Sequence, residues 1–258
     1  MSLRPSAAAT VALALGVLAV LGCDDKPGAT PTTDSASTTA GAPTASTSAS
    51  SAPRETMPNL EVDEKGPSVG IDRVDLAKPN GPKLLHDLVK DLPAGKLPSV
   101  VLVARNAKTP DVAALVRELG LAGAATVTIK TDGRDDLPKE LVVVPEQRID
   151  KPDKCSIVAT VIEDGATAVW AFEGGTAKRH RKGLAGPDLS HTHETLVKAI
   201  PQCSSKTAFF SANAKYAWEF AFNIGGSILK ADEKKQIERL VLVGEEPVAG
   251  RPVKLRSD

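Results

Sequence analysis

Apolar positions fall into three regimes along the chain of 258 residues. From Ala7 to Leu21 they are nearly continuous, broken only by Thr10 and Gly16. From 24 to 57 they almost vanish among Ala, Ser, Thr and Pro. From Leu60 onward they alternate between the two-residue period of strands and the 3.6-residue period of helices.

The third regime predicts two successive lobes. In the first, Ser68 to Leu76 alternates imperfectly through Val69, Ile71 and Val74 and reads as a strand. A helix starts at Asn80-Gly81-Pro82, with Pro in its first turn. Its apolar face is Leu85, Leu88, Val89 and Leu92, and Pro93 and Gly95 end it. Val100–Val103 is a buried strand. Thr109-Pro110-Asp111 opens a second helix with Val112, Leu115, Val116 and Leu119 inward, stopped at Gly120 and Gly123. Strands follow at 126–130 and 141–144.

The second lobe opens with a hairpin, 156–162 and 166–172, turned at Asp164-Gly165. A basic loop at 178–182 leads to a helix with Leu196, Val197 and Ile200 inward. A strand at 207–210 precedes a helix capped by Asn213 and running to about 229. Gln236 to Val243 is the last strand, and the tail after Gly244 is expected to be loose. Asn106-Ala107-Lys108 recurs as Asn213-Ala214-Lys215, each time between a strand and a second helix, which points to a duplication.

This pattern resembles the periplasmic domain of ExbD/TolR proteins. The residues that carry the resemblance are Pro98 to Arg105, Thr109-Pro110-Asp111-Val112, Leu119-Gly120 and Thr126 to Ile129. In the second copy they are Lys206 to Phe210, Trp218, Ile224-Gly225 and Leu240 to Val243. The resemblance implies an α+β fold of two similar lobes, each a small mixed sheet with two helices packed on one face. Because the family's domains pair, it also implies that the lobes close as an intramolecular pseudo-dimer. Family members drive a proton-coupled motor through a transmembrane helix carrying an aspartate. The apolar run here contains no acid, so the fold and the habit of binding envelope partners carry over, and the motor chemistry does not.

The two N-terminal regimes set the expected address. Arg4, the apolar run and Val20-Leu21-Gly22-Cys23 have the layout of a secretory signal that ends in a lipobox-like cysteine. The run is shorter than the roughly 20 residues a spanning helix needs. The expected product is cut before Cys23 and acylated there, since two or three fatty chains anchor stably where one does not. The stretch 24–57 cannot offset its ordering entropy and is expected to be a disordered tether. As a flexible coil it spans roughly 30 Å on average. The expected organisation is a signal peptide at 1–22, a tether at 23–57 and ExbD/TolR-like domains at 58–150 and 151–258.

Composition narrows the chemistry. A formal net charge of zero argues against nucleic acid as a partner. With Cys23 lipidated, Cys155 and Cys203 remain and are expected to form a disulfide in an oxidising compartment. There is no nucleophile elbow, P-loop, Rossmann fingerprint or HExxH, and no metal or cofactor is expected. His191 and His193, two apart near a helix start, point away from each other.

Two features are candidate contact surfaces. Lys178, Arg179, Arg181 and Lys182 surround His180 and suit an anionic surface, or simply a solvated loop. All eight aromatic residues lie between Trp170 and Phe222. Trp218 and Phe222 fall one turn apart on the flank of a helix stripe, either as a partner surface or as a cover for the first lobe. The expected role is a non-enzymatic lipoprotein of the cell envelope, its body in the periplasm. It binds peptidoglycan or envelope transport proteins in a binding or accessory capacity. The alternatives are an accessory of ExbD/TolR-type biopolymer transport and, third, an envelope enzyme of unknown class.

Overall fold

Two hairpins begin the two halves of the body, and a glycine shapes each tip. In the first, β1 (Leu60–Asp63) returns as β2 (Gly66–Val69). Gly66 has φ +111°, and a Cβ there would press on the Val74 carbonyl. In the second, β7 (Ile157–Val161) returns as β8 (Thr167–Ala171) through Gly165, with φ +78°. Both positions need a conformation that only glycine adopts cheaply. The computed structural model describes residues 58–92, 100–183 and 186–256. Cys23, the expected signal segment 1–22, the tether 23–57 and the helix-ending Pro93 and Gly95 lie outside the described residues.

After the first hairpin comes the two-residue strand β3 (Asp72–Arg73). Then follow helix α1 (Gly81–Lys90), β4 (Val100–Val103), helix α2 (Thr109–Leu121), β5 (Val127–Lys130) and β6 (Glu140–Val143). After the second hairpin come β9 (Lys178–His180), α3 (Leu189–Ala199), β10 (Thr207–Ala212), α4 (Trp218–Ala231) and β11 (Arg239–Leu242). The fold is mixed α/β: one eleven-stranded mixed sheet with four helices among the described residues.

The sheet corrects the expectation of a separate small sheet in each lobe. Its order is β3-β2-β1-β4-β5-β6-β11-β10-β7-β8-β9. β6 joins the halves: it pairs antiparallel with β5 and parallel with β11 through Val143 and Leu240. An unpaired inner edge on either half would leave backbone donors and acceptors exposed, and this pairing uses them.

Local differences have local causes. The stretch 68–76 is not one strand; it breaks at Gly70, with φ +62°, so β2 ends and β3 begins. β1 supplies a strand with no expectation behind it. β4 is not buried on both sides: Val101 and Val103 point into the core, while Val100 and Leu102 are exposed. The 178–182 stretch is an edge strand in part, since β9 pairs with β8. Lys108, not Thr109, is the residue before α2. Asn213 does not cap α4, whose first residue is Trp218. Its Oδ1 instead accepts from the Lys215 N–H at 2.9 Å, closing a turn.

The core divides by sheet face. One face carries all four helices over a cluster drawn from both halves, including Leu85, Val116, Ile129, Leu196, Phe210 and Ile224. The other face is covered only over the second half. There Val158, Trp170, Phe209 and Val241 pack under Val253 and Leu255. The tail is therefore not loose. Val253 N–H donates to the Phe172 carbonyl at 3.0 Å, and Trp170 Nε1 donates to the Arg251 carbonyl at 2.9 Å. Those bonds satisfy a buried indole and tail backbone that water no longer reaches.

Candidate functional site

An open groove lies at the carboxyl ends of β7 and β10. It encloses about 770 Å³ and is lined by the Glu163-Asp164 hairpin tip, Arg179, Asn213, Lys215 and the tail from Glu246 to Ala249. The parallel pairing of β7 with β10 places the hairpin tip beside the Asn213 turn. The tail, running on from β11, closes the third side.

Three polar pairs hold the groove. Lys215 Nζ meets Glu163 at 2.5 Å, Arg179 meets Asp164 at 2.6 Å, and Asn213 Nδ2 donates to Glu246 at 2.6 Å. The hydrogen bond from Lys215, followed by its charge, holds the Glu163 carboxyl below its ordinary range. The same bond raises the Lys215 ammonium. The two ion pairs are well exposed, so each contributes little to stability. A ligand entering here must compete with an internal partner. The groove can recognise charge and hydrogen-bond pattern. Its residues come from four separated segments, which is why local sequence signals marked the Asp164-Gly165 turn, Arg179 and Asn213 separately and did not bring them together.

The basic run lies along the outer edge of the sheet. Lys178, Arg179, Arg181 and Lys182 are exposed. Arg179 is held by Asp164, which leaves three cations facing solvent without an ion pair among the described residues. Behind them His180 stacks on His191 with ring centroids 6.0 Å apart. Asp188 accepts from the His191 backbone at 3.1 Å and meets its Nδ1 at 2.7 Å. These bonds lower the Asp188 carboxyl and raise the His191 imidazole. His193 leaves the helix elsewhere, lining a small cavity with Arg134, Asp136 and Lys230. Among the described residues no group of three or more His, Cys, Asp or Glu side chains is placed to hold a metal.

Trp218 and Phe222 are not a partner surface. Both are 0% exposed. The Trp218 indole donates to Thr131 Oγ1 of the first half at 2.8 Å, and Phe222 packs on Gly133. Around them Arg105 bonds Glu219, and Lys108 pairs with Ala217 in an antiparallel bridge. The aromatic pair covers the first half, so its two rings are spent on the join. Cys155 and Cys203 form a disulfide, with Cα atoms 5.7 Å apart. It ties the start of β7 to the approach of β10.

Two buried acids stand apart from these sites. Glu146, 4% exposed, sits between the halves and accepts from the Gly244 N–H at 3.3 Å. Burial pushes its carboxyl above the ordinary range. Burial likewise raises Asp111 in the first turn of α2. Neither lines the groove.

No protein-family model, no curated relative and no solved structure matches this chain. Among the described residues no helix is long and apolar enough to cross a membrane.

Proposed function

We propose that this protein is a non-enzymatic envelope lipoprotein, anchored through Cys23, whose body is two ExbD/TolR-like repeats closed into an intramolecular pseudo-dimer. The observation that carries the repeat is a correspondence of topology. Each half runs strand, hairpin strand, edge strand, helix, strand, helix, strand, spread in mirrored order from edge to centre, and the first half adds β6 at the join.

The correspondence has a register. The second helices start at Thr109 and Trp218, and 218 minus 109 gives an offset of 109. The strand-to-helix turns close with Ala107 N–H to Ala104 and Tyr216 N–H to Asn213, at the same offset. The repeated Asn-Ala-Lys tripeptides, 107 apart, thus fall two positions out of step. Lys108 and Ala217, equivalent at 109, pair with each other in an antiparallel bridge. Two equivalent residues meeting antiparallel is what an internal two-fold axis requires. The shared helix-side core supports the same reading.

The disulfide supports an oxidising compartment. The basic edge supports a second contact with anionic envelope material, such as lipid head groups or wall polymers. Binding of peptidoglycan or envelope proteins would then use the groove and this edge, without chemistry at either. Metabolic labelling with a fatty-acid analogue tests the anchor: wild type takes label and Cys23→Ala does not. Equal labelling of the two refutes lipidation at that site. A pull-down of the mature protein on purified peptidoglycan tests the partner class.

A further inference from the structure

The two halves differ on the sheet face away from the helices. In the second half the tail covers it. In the first half the corresponding face is open: Val100 is 38% exposed, Leu102 48% and Val142 50%. Val100, Thr128 and Val142 form one row across β4, β5 and β6, because their registers pair directly. Leu102 stands in the next row, opposite Glu61 and Lys130.

The open patch continues an interface that already exists. Val144, two residues beyond Val142 on the same side of the chain, packs against the tail-covered cluster. The tail's route shows what this kind of surface holds: a single extended segment. Its sequence is Arg251-Pro252-Val253-Lys254-Leu255-Arg256, with apolar residues at alternate positions and cations between them. Val253 and Leu255 face the sheet, while Lys254 and Arg256 stay exposed. On the open face Glu61 has no ion pair among the described residues and is a carboxylate free to meet a cation, while Asp132 and Glu140 at the flanks are paired with Lys139 and Lys130. A groove of about 640 Å³ runs beside it, lined by Glu61, Leu102 and Lys130 among others. The patch spans three strands, β4 to β6. It suits one strand-like segment.

We infer that the open face of the first half is a docking site for an extended basic peptide segment of a partner, apolar at alternate positions, seated as the tail is seated on the second half. The template rests on the repeat proposed above and not on the lipid anchor, so failure of one leaves the other standing. The probe is a fluorescein-labelled peptide of residues 250–256, titrated into the full chain and read by anisotropy. Saturable binding is expected. Leu102→Lys and Val142→Lys, each checked for an unchanged circular dichroism spectrum, weaken it at least about tenfold. Ile71→Ser, an exposed apolar residue off this face, leaves it unchanged. Absence of saturable binding overturns the inference. So does equal binding to wild type and Leu102→Lys, because the peptide would then be displacing the chain's own tail. A wild-type dimer that Leu102→Lys makes monomeric also overturns it, since the face would belong to a second copy.

Discussion

The two halves share an order of elements and differ in how they fill space. The first contains no aromatic residue; the second contains all eight. The first packs Leu, Val and Ile between helices and sheet and leaves its other face to solvent. The second fills both faces, with Trp170 and Phe209 beneath the tail and Trp218 and Phe222 at the join. The aromatics thus mark the places where the second half does something the first does not: it covers its own outer face and reaches across to its neighbour. A large ring bridges a wider gap than an aliphatic side chain.

Breaking the join gives the largest expected effect. Trp218→Ala removes a fully enclosed indole and strands the Thr131 hydroxyl, costing about 3–5 kcal/mol in denaturant unfolding. A loss below about 1 kcal/mol would mean that the halves do not depend on this contact. The disulfide, peculiar to the second half, comes next. Its separation of 48 residues corresponds to about 3–4 kcal/mol in the chain-entropy picture. Cys155→Ala with Cys203→Ala lowers the unfolding midpoint accordingly, and reductant then has no further effect.

The tail contrast is sharper and smaller. Val253→Asp puts a charge where a valine is 7% exposed and frees the tail. The expected change is red-shifted Trp170 emission and faster proteolysis after Gly244, with a global loss of about 2 kcal/mol or less. An unshifted spectrum would show that the tail does not shield Trp170.

Acidification gives the smallest effect, and it has two signs. The Glu146 carboxyl is raised, so the folded state holds its proton more tightly than the unfolded chain does. Its contribution is fully present below the unfolded value and is lost as pH rises through the folded one. Lowering pH from neutral toward the unfolded value near 4.5 therefore restores some stability, and Glu146→Gln removes that gain. Asp136, which links the first half to Lys230 of α4, runs the other way. Hydrogen bonds from Arg134 and Lys230 lower it to about 2. Its contribution is present above the unfolded value near 3.8 and is lost as pH falls toward 2. Urea midpoints at pH 7, 5 and 3 in wild type, Glu146→Gln and Asp136→Asn separate the two.

Much of this architecture was legible along the chain. The helix stripes through Leu85 and Val89, through Val112 and Leu119, and through Leu196 emerge as buried faces. The Asp164-Gly165 turn and the pairing of the cysteines emerge as expected. The site was far less legible. The groove gathers Glu163, Arg179, Asn213, Lys215 and Glu246 from separate elements, and no spacing in the sequence brings them together.

The sequence by itself determined which side of each element is apolar, because periodicity is a local property of the chain. It also shows that the stretch after residue 57 holds two cysteines, Cys155 and Cys203. Only the tertiary structure decided what covers each apolar side. Periodicity put Trp218 and Phe222 on a flank, and the first half's Thr131–Gly133 segment made that flank interior. Composition left the tail without a pattern, and the outer face of β8 and β10 gave it a seat. Nothing local required β6 to complete both half-sheets. That came from the long-range demand that two open strand edges find partners, and it turned two expected lobes into a single sheet.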